Sequence, residues 1–118
     1  MAKKFHIETG ETNTILREVS SIVHQKELSQ YTSIANDMVK YIKDPDNGGV
    51  GLAAPQIGVN KRIIAVSLMQ SYEDEEFRTI AMINPEILEH SETLYTDEEG
   101  CLSVPGERGD VERWSWIK

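Results

Sequence analysis

Cys101 is the single cysteine of a 118-residue chain, and it stands inside the stretch EEGCLSVPGER at 98–108. A thiolate there is either a nucleophile or a soft metal ligand. Without further context, a lone cysteine is more often a small buried hydrophobe. A cysteine nucleophile asks for a histidine base, and His6, His24 and His90 form no recognisable pairing with it. A metal centre asks for about three protein ligands and an open position. No HExxH, CxxC or HxH occurs in the chain. Residue by residue, the sequence supplies one ligand.

The second chemical stretch is GGVGLAAPQIG, Gly48 to Gly58, a run of small residues with no charge. Gly48, Gly49 and Gly51 leave the backbone uncovered, so that a ligand's main chain can lie directly against it. Gln56 is the one polar side chain in the run, and an amide in apolar surroundings needs a partner. Held rigidly, it can donate to a carbonyl or a developing oxyanion; the plainer alternative is a glutamine bonded to its own loop backbone. Arg108, after Pro105-Gly106, can fix a peptide or a carboxylate, although such arginines are more often surface residues. Trp114 and Trp116 read as packing or surface aromatics of a final strand rather than a stacking platform.

These residues need elements to hold them. Leu28, Tyr31, Ala35, Met38, Val39 and Ile42 recur with helical spacing, which predicts an amphipathic helix over about 26–43. Asp44-Pro45 and Gly48-Gly49 stop it and feed the chain into the glycine-rich stretch. Strands are expected at Arg62–Leu68 and Arg78–Ile83, the second ended by Asn84-Pro85. A more irregular strand is expected over Ile87–Tyr95 and a last one over Val111–Lys118. Residues 1–24 read as irregular. The order coil, helix, strands suits an α+β domain.

Composition bounds the class. Twelve Lys and Arg against 20 Asp and Glu leave a formal charge of -8, with no basic stripe for a nucleic acid or an anionic membrane. The acidic run Glu73–Glu76 reads as a solvated loop. One cysteine excludes an internal disulfide and fits a reducing compartment. No signal peptide and no membrane span is expected, and the predicted location is cytoplasmic. The length allows one domain with a modest core.

GVGLAAPQ at 49–56 and EGCLS at 99–103 resemble, in order and about 45 residues apart, the first two signature motifs of the peptide deformylases. ILREV at 15–19, RIIAV at 62–66 and INPEIL at 83–88 extend the likeness over nearly the whole chain. The resemblance implies an α+β fold with antiparallel or mixed strands around a central helix. It implies hydrolysis of the formyl group from the N-formylmethionine of nascent chains at the ribosome, releasing formate, with a metal-bound water as nucleophile. It implies a divalent metal, typically iron, with nickel, cobalt or zinc able to replace it. Residue by residue, Cys101 matches the metal-ligating cysteine. Gln56 matches the donor to the formyl oxygen and the Leu102 N–H its companion, while Glu99 matches a supporting carboxylate. Gly49, Val50 and Gly51 match the strand that binds substrate backbone and borders the methionine pocket, and Arg108 an arginine near that pocket. The family's third motif, QHExxH on the central helix, is expected roughly 40 residues past Cys101 and so beyond Lys118. The chain is therefore expected to be a single deformylase-like domain over 1–118 without its last third, inactive alone. A metal-free peptide-binding module and a cysteine hydrolase acting through Cys101 are the other readings.

Overall fold

A computed structural model describes residues 5–68 and 78–118. The acidic run Glu73–Glu76 lies outside the described residues. The chain folds as a short helix α1 (Thr14–Arg17), a long helix α2 (Leu28–Lys43), and strands β1 (Gly51–Ala53), β2 (Ile63–Leu68), β3 (Arg78–Ile83), β4 (Leu94–Gly100) and β5 (Arg108–Trp114). It is an α+β arrangement in which all pairings between named strands are antiparallel: β1-β2-β3 form one sheet and β4-β5 a separate two-stranded ribbon.

Helix α2 lies on the three-stranded sheet. Ala35, Met38, Tyr41 and Ile42 form its buried face, and with Val23, Leu52, Ala54, Ile63 and Ala65 they make the core. Positions 38, 41 and 42 are related by three and four residues, so they share one side of the helix. Leu28, expected on that face, remains 45% exposed, and the apolar stripe engages the core only from Tyr31 onward. Lys40 and Lys43 occupy the last turn, where cations complement the helix dipole. Asp44 leaves the helix in an extended conformation, as a residue before proline must, and its carboxylate accepts the Asp46 N–H at 3.0 Å.

In β2 the buried residues Ile63 and Ala65 alternate with half-buried neighbours, the period of a strand with one face on the core. Asn84 ends β3 at φ +56° and behaves as a side-chain strand. Its Oδ1 accepts the Val23 N–H at 2.8 Å and its Nδ2 donates to the Val23 carbonyl at 2.9 Å. That pair ties the irregular N-terminal segment to the sheet.

Two boundaries differ from expectation. Over Ile87–Tyr95 no regular strand forms before Leu94. Instead, residues 88–91 exchange backbone hydrogen bonds with 116–118 around the isolated pair His90–Ile117. The last strand is Arg108–Trp114 rather than Val111–Lys118. The ribbon strands read LYTDEEG and RGDVERW, sequences without alternating hydrophobicity. Both are mostly exposed, so no burial pattern marked them in advance. The N-terminal stretch is less irregular than expected, since Asn13 caps the short helix α1 through its side chain.

Candidate active site

The two glycine-containing motifs meet in one cleft of about 700 Å³. Its walls include Gly49, Val50, Gly51, Gln56, Glu99, Cys101, Leu102 and Arg108, the residues to which the family resemblance gave roles. They reach it from different elements.

Gly49 carries φ +86°, and a Cβ there would come within 3.3 Å of the Leu102 side chain. This position therefore needs glycine twice, for its backbone angle and for the close approach of Leu102. The strand proper begins at Gly51, two residues after Gly49, and the Val50 carbonyl accepts the Ser67 N–H of β2 at 2.8 Å. β1 stands at the edge of its sheet, paired only with β2 among the described residues. An edge strand in a cleft wall is a template for an added extended peptide.

Gln56 sits in a 3-10 turn, Ala54–Ile57, that Pro55 favours and that ends at Gly58 in the left-handed region. Its Oε1 accepts the Ala53 N–H at 2.9 Å. Its Nε2 lies 3.1 Å from Ser103 Oγ and 3.7 Å from the Cys101 sulfur. The plainer alternative for Gln56 is thus present, its oxygen holding local backbone, while its NH₂ end faces the cleft.

Cys101 follows β4 directly and is an exposed free thiol, which removes the buried-hydrophobe reading. The loop it opens is closed by the Val104 N–H on its carbonyl at 3.1 Å and by Gly106 at φ +80°. Leu102 is half-buried against the core, yet its N–H has no hydrogen-bond partner among the described residues. An unpartnered N–H beside a thiol and an amide NH₂ makes a group of donors suited to a developing oxygen charge. No histidine lines the cleft, so a base for a cysteine nucleophile is missing there.

The N-terminal segment fastens the two motifs. Glu8 N–H donates to the Gln56 carbonyl at 2.7 Å, and Gly10 N–H donates to the Ser103 carbonyl at 3.0 Å. Sequence reasoning gave residues 8–10 no role, because backbone hydrogen bonding carries no side-chain signal.

Charges on the ribbon are paired according to its register. Glu99 faces Gly109 and Arg113 faces Tyr95 across the ladder, so Glu99 and Arg113 share one face, where they form an ion pair. The Arg113 hydrogen bond holds the Glu99 carboxyl below the usual glutamate range, against a smaller upward push from burial. A carboxyl depressed in the folded state stabilises it fully above the unfolded pKa, and the contribution disappears as pH falls through the folded value. Glu99→Gln is accordingly expected to lower stability by about 1 kcal/mol at neutral pH. The gap from the unmodified protein should close on acidification below the ordinary glutamate range, read by thermal unfolding at stepped pH. A gap that is constant across that range contradicts the assignment.

On the other face, Arg108 Nε donates to Glu98 at 2.9 Å, and the Arg108 guanidinium folds over Gly100, where a Cβ would lie 3.1 Å from Nη1. Arg113 and Ser103 were missed from sequence. The register of the ribbon would have pointed to Arg113, but the strands were not delimited. Trp114 stacks on His90 with ring centroids 3.9 Å apart, away from the cleft.

Among the described residues no three His, Cys, Asp or Glu side chains gather where a metal ion could be held. Cys101 is a soft donor exposed at the cleft. No helix of the described residues is long and apolar enough to cross a membrane.

Residues 6–118 match the sequence profile of the family described as Polypeptide deformylase. A peptide deformylase of Desulforudis audaxviator is 48% identical over 99 residues, 84% of this chain and 58% of that protein. One from Agrobacterium fabrum is 39% identical over 84% of this chain and 55% of its own length. The chain therefore spans somewhat over half the length of these curated relatives. Among solved structures, the Met-Ala-Ser-bound class I type b peptide deformylase from Acinetobacter baumannii superposes with a TM-score of 0.83 at 34% identity, covering 99% of this chain and 75% of that one. A probable peptide deformylase from Synechococcus phage S-SSM7 gives 0.77 at 34% identity, covering 97% and 73%.

Proposed function

Because the chain belongs to the polypeptide deformylase family, we propose that its cleft binds N-formylmethionyl ends of nascent peptides and removes the formyl group by hydrolysis, releasing formate. The observation that supports this reading is one cleft lined by Gln56, whose Nε2 lies 3.7 Å from the Cys101 sulfur, by Leu102, whose N–H has no partner among the described residues, and by Val50 and Gly51 at the sheet edge.

Each group has a task on this reading. The substrate backbone adds to the β1 edge at Val50 and Gly51, and Gly49 lets it approach the Leu102 loop. The methionine side chain lies against Val50, with Arg108 at the rim. Gln56 and the Leu102 N–H receive the charge that builds on the formyl oxygen as the carbonyl carbon becomes tetrahedral. Glu99, locked to Arg113, stiffens the strand that ends in Cys101. The family's divalent metal supplies a Lewis acid and an activated water when bound, and Cys101 is the donor this chain offers it; iron is the metal we expect, with nickel, cobalt or zinc as substitutes. The described residues gather no further donors for it, and we expect the 118 residues alone to be inactive. We assign the protein to the cytoplasm, where formylated chains emerge from the ribosome.

A second reading is a metal-free peptide-binding module, since no three-ligand cluster forms among the described residues. Both readings require the peptide to lie on β1, and metal content separates them. Titration with the tripeptide Met-Ala-Ser, followed by backbone amide shifts, is expected to move Val50, Gly51 and Leu102. Shifts confined to other parts of the surface would refute the groove in either form.

A further inference from the structure

Ser103 is one of two buried polar side chains among the described residues, 5% exposed, and its hydroxyl meets the amide of Gln56. We propose that Ser103 is a positioning residue that fixes which way the Gln56 carboxamide faces; the inference rests on the deformylase reading only for its effect on turnover.

The two ends of the amide are told apart by chemistry. The Ala53 N–H can only donate, so the group it meets at 2.9 Å must be the carbonyl oxygen Oε1. The NH₂ end then points toward Ser103 and Cys101. A hydroxyl accepts readily, so Ser103 Oγ at 3.1 Å takes one of the two Nε2 hydrogens. The other is left toward the sulfur at 3.7 Å, a long contact that a stronger acceptor in the cleft can replace.

With both ends pinned, the terminal torsion of Gln56, which is otherwise broad, has one setting. Ser103 is itself held, since its carbonyl accepts the Gly10 N–H at 3.0 Å. The donor is thereby oriented before any ligand arrives, which is what distinguishes an effective charge-stabilising group from a mobile one.

The direct test is the side-chain ¹⁵N order parameter of Gln56 in the full chain, its signals assigned by their loss in Gln56→Ala. The unmodified protein should give a rigid value of about 0.8, and Ser103→Ala a value below about 0.6. A mobile amide in the unmodified protein overturns the proposal without any variant, which covers the case of a Ser103→Ala chain that does not fold. An amide that stays rigid in Ser103→Ala overturns it equally.

In the metal-loaded complete protein, Ser103→Ala should lower kcat about 10- to 100-fold with KM little changed. The same change should cost nothing further in a Gln56→Ala background. Additive losses would mean that Ser103 acts independently of Gln56 and would overturn the role. A protein without formyl hydrolysis would sink the preceding functional reading, while the order parameter would still decide the position of the amide.

Discussion

Replacing Gln56 by alanine is expected to lower kcat for formyl-peptide hydrolysis by about 10²–10³-fold, with a small change in KM. The reason lies in where its charge-stabilising group points. The amide nitrogen lies 3.1 Å from Ser103 Oγ and 3.7 Å from the Cys101 sulfur, beside the proposed position of the reacting oxygen, so its contribution grows as charge develops there. Alanine also leaves the Ala53 N–H and the Ser103 hydroxyl without partners, at a structural cost of about 1–3 kcal/mol. A circular dichroism melt separates that cost from the kinetic one. Gln56→Glu keeps the Ala53 contact but replaces the donor with negative charge, and its kcat should fall at least as far. If the alanine variant raised KM while kcat held, Gln56 would be a uniform binding contact and not a stabiliser of the transition state.

Cys101→Ala is expected to have the larger effect. A thiolate ligand contributes charge and softness that no neighbouring group can replace, because no cluster of alternative donors is present among the described residues. Removing a group that only hydrogen-bonds a metal ligand costs about 10–100-fold in metal affinity, so loss of a ligand should exceed that. The complete protein should fall from about one metal per chain to almost none, and turnover should disappear with it. The fold should tolerate the change, since Cys101 is exposed and its backbone, rather than its side chain, closes the loop with Val104. Full metal occupancy in the alanine variant would exclude Cys101 as a ligand.

The parts of the fold written in hydrophobic periodicity were readable in advance. α2 buries a face, which imposes a period of 3.6 on its residues, while β2 and β3 stood out as runs rich in β-branched and apolar residues. The ribbon was not readable, because β4 and β5 are mostly exposed and their sequences are dominated by acids, glycine and arginine. Consequences of that gap reached the site. Without the register 99 to 109, the partner of Glu99 could not be named, and Arg113 fell unmarked within a strand placed too late.

The site's outline was legible for a different reason. Glycines at 49 and 51 and an isolated amide at 56 are costly choices unless backbone must be approached closely and the amide used. Cys101 announced chemistry but not its kind, since a lone thiol does not state its partners. What brings the two motifs together, the hydrogen bonds from Glu8 and Gly10, is made by main chain that any sequence could supply. That link is visible only in three dimensions.

On the proposed reading this cleft is a deformylase active site built on Gln56, Cys101 and Leu102. Its most direct test is formate release from formyl-Met-Ala-Ser by the complete, metal-loaded protein, run beside Cys101→Ala and Gln56→Ala. The predicted result is stoichiometric formate from the unmodified protein, none from the cysteine variant and a loss of about 10²–10³-fold in the glutamine variant. Formate release that persists unchanged in both variants, or a metal-loaded protein that binds the peptide and leaves its formyl group intact, would contradict it.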